Sequence, residues 1–189
     1  MTQVFLASQS PRRRELLDQI GVPHALIAVD VAEQVADDEP ALDYVRRVAR
    51  EKAAAGLLAL GGIASAVVIG ADTEVVLDGE VFGKPRDAPD ALRMLRKLSG
   101  RTHQVLSAVA VVGAGREAER VSTTSVRFAE LSDDELHAYI ATGQCFGKAG
   151  AYAIQGYAAR FVEHIEGSYS GVMGLPVFET AQLLRQFAT

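Results

Sequence analysis

The sequence predicts an α/β protein of one domain, residues 1–189, in which helices flank a mixed, twisted sheet. In the first half of the chain, short apolar strands alternate with amphipathic helices, a pattern typical of parallel βαβ units. In the second half, two longer strand-like runs flank Gly113 and Gly115, which indicates an antiparallel hairpin. No linker-like segment interrupts the chain. We therefore expect one domain, elongated into two lobes with a cleft between them.

Composition limits the class of protein. The chain has 189 residues and a net charge of −5, which does not favour a broad nucleic-acid-binding surface. Its single cysteine, Cys145, excludes an intrachain disulfide and any cysteine-based zinc site, as is usual in a reducing cytoplasm. No apolar run approaches the ~20 residues of a membrane span, and arginines end the N-terminal apolar run too early for a signal peptide. We expect a cytoplasmic protein that binds neither membranes nor nucleic acid.

The first predicted strand, residues 4–7, leads into a short polar loop and then into a helix. Pro11 suits the first helical position because proline lacks the N–H that would be unpaired there, and Ser10 is a good N-cap. The mouth of this helix offers free backbone N–H groups, the positive end of the helix dipole and three arginines. These features predict an anion site, with phosphate as the expected anion.

Helical periodicity separates the roles of those arginines. Arg13 shares one face of the helix with the apolar residues Leu16, Leu17 and Ile20. We therefore expect Arg13 to point inward, where a guanidinium group needs a partner. That partner is either a ligand anion or a structural carboxylate. Arg12 and Arg14 flank this face, each about 100° away around the helix.

Two further candidates lie between the first helix and the next strong strand. A strand at 24–29 leads into an acidic loop, in which Glu33 follows the strand end. A long helix is predicted over 40–60, and Lys52 falls on its apolar stripe. The ammonium group of Lys52 either reaches the surface along its own alkyl stem or meets a ligand.

The run at 66–77 is the strongest strand, and it is apolar on both faces apart from a few polar residues. Strand alternation places Asp72 and Glu74 on one face and Thr73 on the other. A carboxylate inside such a strand is costly unless it is paired, hydrogen-bonded or bound to a metal. Asp72 is therefore a candidate functional residue.

A hairpin follows this strand. The dipeptide Asp78-Gly79 predicts a type I′ turn, so a short strand at 80–82 returns alongside. Lys84 comes just beyond the return strand, before a proline that restricts its backbone. We expect Lys84 either near Asp72 or Thr73 or in a structural ion pair.

The second half of the chain provides a helix over 87–98, strands at 103–112 and 120–128, and a helix over 132–142 that begins with a capping box. His103 starts the first of these strands. A lone histidine at a strand start is more often structural than catalytic, although its pKa would permit proton transfer.

Two segments rich in small residues remain, at 143–156 and 167–174, and a last helix begins after Pro176. Glycine in such segments permits close approach of the backbone to a ligand, although many glycine-rich loops are only turns. In the first segment, the side-chain amide of Gln155 is suited to reading the edge of a nucleotide base.

Together these residues indicate a phosphate chemistry. Three cations lie at positions that a surface role alone explains poorly, namely Arg13, Lys52 and Lys84. Three carboxylates are suited to a hard cation such as Mg²⁺, namely Glu33, Asp72 and Glu74. The chain lacks a Walker lysine motif and a Rossmann glycine fingerprint. We therefore expect a nucleoside triphosphate that is bound by another route and cut by an activated water.

The chain resembles the Maf (septum-formation) family of nucleotide pyrophosphatases over nearly its full length. The resemblance is carried by LASQSPRRRELL at 6–17, GADTEVVLDGEVFGKP at 70–85, LSGRTHQV at 98–105, KAGAYAIQG at 148–156 and GSYSGVMGLP at 167–176. It implies a mixed α/β fold related to inosine triphosphatases, with a deep cleft. It also implies hydrolysis of a nucleoside triphosphate to the monophosphate and pyrophosphate with a divalent metal, Mg²⁺ or alternatively Mn²⁺, in a homodimer.

The resemblance also implies roles for individual residues. Asp72 matches the general base, and Glu33 stands where a metal-linked acid is expected. Ser8, Arg13, Lys52 and Lys84 match the polar and phosphate-binding positions, and the triphosphate would lie across the helix mouth from Ser10 to Arg13. One segment departs from the pattern, since relatives often read Glu-Pro-Leu-Asp where this chain has Gln144-Cys145-Phe146-Gly147.

Specificity follows from the same resemblance. Arg12, Thr73 and Gln155 occupy the specificity positions of members that act on dTTP and UTP, while Arg14 is left as a surface residue. We therefore favour dTTP, UTP and related modified pyrimidine nucleotides over 7-methyl-GTP. The alternatives are a house-cleaning enzyme for inosine or xanthosine triphosphate and a non-catalytic, nucleotide-binding regulator of cell division.

Overall fold

A mixed sheet of seven strands forms the centre of the computed structural model, which describes residues 2–63 and 65–187. The strands are β1 (Gln3–Leu6), β2 (His24–Leu26), β3 (Ala66–Leu77), β4 (Glu80–Phe82), β5 (Thr102–Gly113), β6 (Arg116–Phe128) and β7 (Val162–Glu166). The helices are α1 (Pro11–Gln19), α2 (Ala41–Ala59), α3 (Ala88–Leu98), α4 (Asp133–Ala141), α5 (Tyr169–Met173) and α6 (Val177–Phe187). Short 3₁₀ turns occupy Ala149–Ala151 and Tyr157–Phe161. The predicted mixed α/β class is confirmed.

The pairing of β3 with its neighbours leaves part of one edge open. β1 runs parallel to β3 and pairs with it up to Ile69, whereas β4 pairs antiparallel with β3 from Val75 onward. Between these two ladders, residues 70–74 of β3 have β5 as their strand neighbour among the described elements. The open stretch contains Asp72 and Glu74. It lies at the carboxyl end of β1, where open α/β sheets bind their ligands.

Gly70 brings α2 into direct contact with β3. A Cβ atom on Gly70 would lie 2.2 Å from the carbonyl oxygen of Ala49 and 2.5 Å from the backbone nitrogen of Ala53, so only glycine fits there. Because side chains alternate along a strand, Asp72 projects from the same face of β3 as Gly70. Lys52, which lies on α2 between the two contacted alanines, is thereby held above Asp72.

Three apolar clusters surround the open edge of β3. One packs α2 against one face of the sheet, and the second packs α1 and α6 against the other face. The third joins the far end of β3 to β4, α3, α4 and the 3₁₀ turn at Ala149–Ala151. The first two clusters form one lobe and the third forms the other, so the predicted cleft between two lobes is confirmed.

The turn chemistry of the hairpin is as predicted, since Asp78 and Gly79 have φ angles of +52° and +80°. Strand β6 begins at Arg116, four residues before the predicted start at 120, and two other elements also differ from the prediction. The strand expected at 24–29 is limited to His24–Leu26, and the expected loop at 167–174 contains helix α5. The periodicity of α5 is hidden because the helix has five residues and includes a glycine.

Among the described helices, none combines the length and apolar character needed to cross a bilayer.

Candidate active site

A cavity of about 560 Å³ lies at the open edge of β3, between the two lobes. Its wall includes most of the residues predicted for the site, namely Ser8, Ser10, Arg12, Arg13, Glu33, Lys52, Asp72, Thr73 and Lys84. Gln155 differs from this group because it is exposed and lies outside the cavity lining. The KAGAYAIQG segment instead contributes Lys148, Ala149 and Tyr152 to the wall.

Two lysines and two carboxylates form a connected ionic network on the α2 side of the cavity. Lys52 Nζ lies 2.6 Å from Glu33 Oε1 and 2.8 Å from Asp72 Oδ1. Lys84 Nζ donates to Glu33 Oε2 at 2.5 Å. Lys52 is 7 % exposed, so its ammonium group does not escape to the surface as one alternative proposed. Lys84 pairs with Glu33, and not with Asp72 or Thr73.

Glu33 connects the two lysines of this network, because its two carboxylate oxygens pair with Lys52 and Lys84. Burial acts to raise the pKa of Glu33, but the hydrogen bonds from Lys52 and Lys84 outweigh it and lower the pKa to about 2. Glu33 is therefore ionised at neutral pH. Its two ion pairs tie the acidic loop to α2 and to the segment after β4, which are far from it in the sequence.

Asp72 and Glu74 each keep one unused carboxylate oxygen. Asp72 Oδ2 and Glu74 Oε2 are buried without a hydrogen-bond partner in the part of the chain that the structure describes. Burial raises the pKa of Glu74 to about 8, and the neighbouring charge of Asp72 adds to this effect. Such unpartnered hard oxygen atoms on one strand face fit the coordination that Mg²⁺ seeks.

The described residues contain no group of three or more His, Cys, Asp or Glu side chains arranged to hold a metal by itself. Mg²⁺ sites at triphosphates usually combine one or two carboxylates with oxygens of the substrate. Asp72 and Glu74, with Glu33 beside them, are the residues suited to such a shared site.

The loop between β1 and α1 is organised by Ser8. Its Oγ accepts a hydrogen bond from the backbone nitrogen of Ser10 at 3.1 Å and one from Arg13 Nη1 at 3.2 Å. Ser10 occupies the predicted N-cap position with an extended backbone, but its side chain makes no capping bond. The backbone N–H groups of Arg12 and Arg13, in the first turn of α1, have no intrahelical partner, and both residues line the cavity.

Arg13 points inward, as predicted from helical periodicity. Its Nε donates to the carbonyl oxygen of Gly174 at 2.7 Å. Burial lowers the pKa of Arg13, and the charge of Asp72 is the strongest effect in the opposite direction. Arg13 therefore stands in the electric field of Asp72, although no carboxylate pairs with it directly among the described residues.

Arg12 and Thr73 border the cavity on the α5 side. Arg12 Nε donates to the carbonyl oxygen of Met173 at 3.0 Å, while Arg14 is exposed. Thr73 Oγ1 lies 2.8 Å from Ser107 Oγ, which in turn donates to the carbonyl of Gly171 at 2.6 Å. Thr73 thus faces away from Asp72 and Glu74, as strand alternation predicts.

Lys148 also lines the cavity, although its position in the sequence did not mark it as a site residue. The sequence feature that could have identified it is the KAGAYAIQG segment, of which it is the first residue. Its Nζ donates to the carbonyl oxygen of Phe146 at 3.1 Å. Burial lowers the pKa of Lys148, and the charge of Arg12 adds to this effect. His103, by contrast, is buried outside the cavity lining beside the hydroxyl group of Tyr152, in agreement with a structural role.

Several known proteins are similar to this chain over nearly its full length. A dTTP/UTP pyrophosphatase of Chromobacterium violaceum is 54 % identical over 98 % of this chain and 95 % of its own length. A dTTP/UTP pyrophosphatase of Xanthomonas axonopodis pv. citri is 55 % identical over 97 % of this chain and 98 % of its own length. A nucleoside triphosphate pyrophosphatase of Xylella fastidiosa is 52 % identical over 97 % and 98 %.

The solved structure of the Staphylococcus aureus Ham1 protein aligns with a TM-score of 0.46 and 16 % identity, over 68 % of this chain and 73 % of that chain. The family model described as Maf-like protein matches residues 3–187, which is almost the whole chain. The chain therefore belongs to the Maf family.

Proposed function

We propose that this protein hydrolyses dTTP and UTP to the nucleoside monophosphate and pyrophosphate. The observation that carries the proposal is a buried aspartate, Asp72, which lines the same cavity as Arg13, Lys52 and Lys84 and whose Oδ2 has no hydrogen-bond partner among the described residues. Relatives that are more than half identical to this chain bear the name dTTP/UTP pyrophosphatase, which supports the choice of substrate.

The triphosphate is bound at the start of α1. The N–H groups of the first turn and the guanidinium group of Arg13 favour a phosphate at this position. Lys52 and Lys84 supply positive charge from the other wall of the cavity. Both lysines are paired with Glu33, so phosphate oxygens compete with that carboxylate for their N–H groups.

A divalent cation, Mg²⁺ or alternatively Mn²⁺, completes the proposed site. Glu74 would hold it with its unused Oε2, beside the ionic network that contains Glu33 and Asp72, and Asp72 Oδ2 would stay available to accept a proton. When bound, such a cation neutralises phosphate charge and polarises the phosphoryl oxygens. The residues of this chain bind and orient the substrate and accept the proton.

Asp72 acts as the general base. Lys52 holds Oδ1 in a hydrogen bond of 2.8 Å, which fixes the carboxylate plane and leaves Oδ2 to accept a proton from the attacking water. The water oxygen forms a bond to the α-phosphorus, the bond from that phosphorus to the bridging oxygen breaks, and pyrophosphate leaves. Arg13, Lys52 and Lys84 stabilise the negative charge that develops on the phosphates.

Arg12, Thr73 and Gln155 are proposed to select the base. Arg12 and Thr73 lie on the cavity wall opposite the carboxylate network. Gln155 would have to approach from outside the lining that the structure describes. Its role is supported by the family resemblance alone.

We also propose a cytoplasmic homodimer of one domain per chain that acts on free nucleotides and not on nucleic acid or membranes. The family resemblance supports the dimer, and the net charge of −5 gives no support for a nucleic-acid surface. Light scattering of the purified protein during size-exclusion chromatography tests the oligomeric state directly.

A single assay tests the activity. The purified protein with Mg²⁺ is given dTTP, UTP, CTP, 7-methyl-GTP and inosine triphosphate, and both pyrophosphate and monophosphate are measured. We expect equimolar pyrophosphate and monophosphate, fastest from dTTP and UTP. Preference for inosine triphosphate would support the house-cleaning alternative. Nucleotide binding without product would support the regulatory alternative, and release of inorganic phosphate alone would contradict attack at the α-phosphorus.

A further inference from the structure

The cavity has two chemically different parts. The part beside α2 contains Glu33, Lys52 and Asp72 and is ionic. The other part is lined by the apolar side chains Val105, Tyr152, Val172 and Met173, which belong to one packed cluster. A nucleotide has the same division, since its phosphates are charged and its base has apolar faces. The apolar part of the cavity is therefore the position that suits the base.

Lys148 stands at this apolar part. It directly precedes Ala149, which packs against the apolar cluster, and it lines the cavity. One of its three N–H donors is used by the carbonyl oxygen of Phe146. No carboxylate pairs with Lys148 among the described residues, in contrast to Lys52 and Lys84. Lys148 therefore keeps donors that a ligand can use.

The backbone around Lys148 is fixed against β3. Gly150 has a φ of +64°, and a Cβ atom there would lie 2.9 Å from a methyl group of Val75. The backbone nitrogen of Gly150 also donates to the carbonyl of Gly83 at 3.2 Å. These contacts hold the 3₁₀ turn next to the end of the open stretch of β3. The position of Lys148 is thus set by packed structure and not by a free loop.

We propose that Lys148 donates a hydrogen bond to a carbonyl oxygen of the pyrimidine base and thereby selects uracil and thymine over cytosine. This inference rests on the proposed function. Thymine, and uracil likewise, presents a carbonyl acceptor at the position where cytosine presents an amino donor. A lysine has donors and no acceptor, so it pairs with the carbonyl group and repels the amino group.

The electrostatic surroundings argue for the base and against the phosphates as the partner of Lys148. The charge that acts most on Lys148 is that of Arg12, on the α5 side. Arg13, at the helix mouth, is instead under the influence of Asp72, Glu33 and Glu74. The charges of those carboxylates thus act on Arg13, whereas Lys148 leads into the turn whose Ala149 packs against the apolar cluster.

The test compares Lys148→Met and Lys148→Arg with Lys97→Met, a control at an exposed lysine that pairs with Glu80. For each variant, kcat/KM is measured with UTP and CTP, together with inhibition by UMP and by pyrophosphate. Loss of one hydrogen bond from a charged donor predicts that Lys148→Met lowers the preference for UTP over CTP by about 10-fold to 100-fold. UMP inhibition should weaken, and pyrophosphate inhibition should not change. Lys148→Arg should restore part of the preference.

Other results would overturn the inference. Equal losses on UTP and CTP with weaker pyrophosphate inhibition would make Lys148 a phosphate ligand. An unchanged preference in Lys148→Met would remove it from substrate recognition. Failure of the proposed function is visible separately, because the unmodified protein would then release no pyrophosphate from UTP.

Discussion

Two sets of buried polar side chains lie on adjacent strands, β3 and β5, and their surroundings differ. On β5, His103 is 2 % exposed and its Nε2 lies 2.8 Å from the hydroxyl group of Tyr152. On β3, Asp72 and Glu74 are 5 % and 8 % exposed. Each set leaves a buried polar atom without a partner among the described residues, namely Nδ1 of His103 and one oxygen of each carboxylate. The difference lies in charge.

Burial lowers the pKa of His103 to about 4, so its ring is neutral at pH 7. The hydrogen bond that its Nδ1 does not make therefore costs less free energy than an unmade bond at a charged group. Asp72 is instead held by the ammonium group of Lys52. An unmade bond at a buried carboxylate costs more, and it is found where the cavity opens. The comparison supports a packing role for the β5 pair, and it supports the proposed role of the β3 carboxylates in the reaction.

The largest effect is expected from Asp72→Asn. The amide keeps the shape of the side chain but no longer accepts a proton as a base, so kcat should fall by about 10²–10⁴-fold. Lys52 still contacts Glu33, so the variant should remain folded. Pyrophosphate release and a thermal unfolding curve measure the two properties.

Asp90→Asn is the matched control for this variant. Asp90 is equally buried, at 7 % exposed, but it lies on α3 and interacts with Arg86 and Arg93 instead of the cavity. It should lower the melting temperature with little change in kcat. Near-normal turnover by Asp72→Asn would remove Asp72 from the role of base.

The sequence predicted the local parts of this site well. The strand at 66–77 was correct in extent because an apolar run ends at a strong turn, and it placed Asp72 on a buried strand. The inward position of Arg13 followed from the 3.6-residue period of α1. Both predictions depend on residues close together in the chain, where periodicity and turn chemistry are decisive.

Contacts that span the chain were not predictable in the same way. The bond from Lys84 to Glu33 joins residues 51 positions apart through an irregular loop, and no periodic pattern reports it. Lys148 and Gln155 belong to one glycine-rich segment, yet Lys148 lines the cavity and Gln155 does not. The 3₁₀ turn at Ala149–Ala151 separates the two residues, and the sequence did not predict that turn. Tertiary packing of irregular backbone decides such positions.

Glu74→Gln should have the next largest effect, on stability as a function of pH. The folded protein keeps Glu74 protonated up to about pH 8, whereas the unfolded chain releases that proton near pH 4.5. The folded state therefore binds more protons in this window, and the stability that Glu74 contributes is lost as pH rises from 4.5 to 8. Glutamine has no proton to lose. The variant should gain about 2–4 kcal/mol relative to the unmodified protein between pH 5 and pH 9.

Denaturant unfolding at these two pH values, with a chelator present, measures the gain. Glu80→Gln is the control, because hydrogen bonding from Lys97 lowers the pKa of that exposed carboxylate. It should not show a gain that grows with pH. Parallel curves for Glu74→Gln and the unmodified protein would mean that Glu74 is ionised throughout.

The smallest effect concerns the β5 pair and has the opposite dependence on pH. His103→Phe leaves the buried hydroxyl group of Tyr152 without its partner and should cost about 1–3 kcal/mol of unfolding free energy at pH 7, whereas His103→Phe combined with Tyr152→Phe should cost less. The folded pKa of His103 is about 4 against 6.5 for the free side chain, so the stability contributed by the neutral ring is lost as pH falls from 6.5 to 4. The double variant, which lacks this proton uptake, should therefore gain about 2 kcal/mol relative to the unmodified protein between pH 7 and pH 4.5. Calorimetric unfolding at both pH values measures this gain, and its absence would show that His103 titrates normally and that the contrast between β5 and β3 is not one of charge.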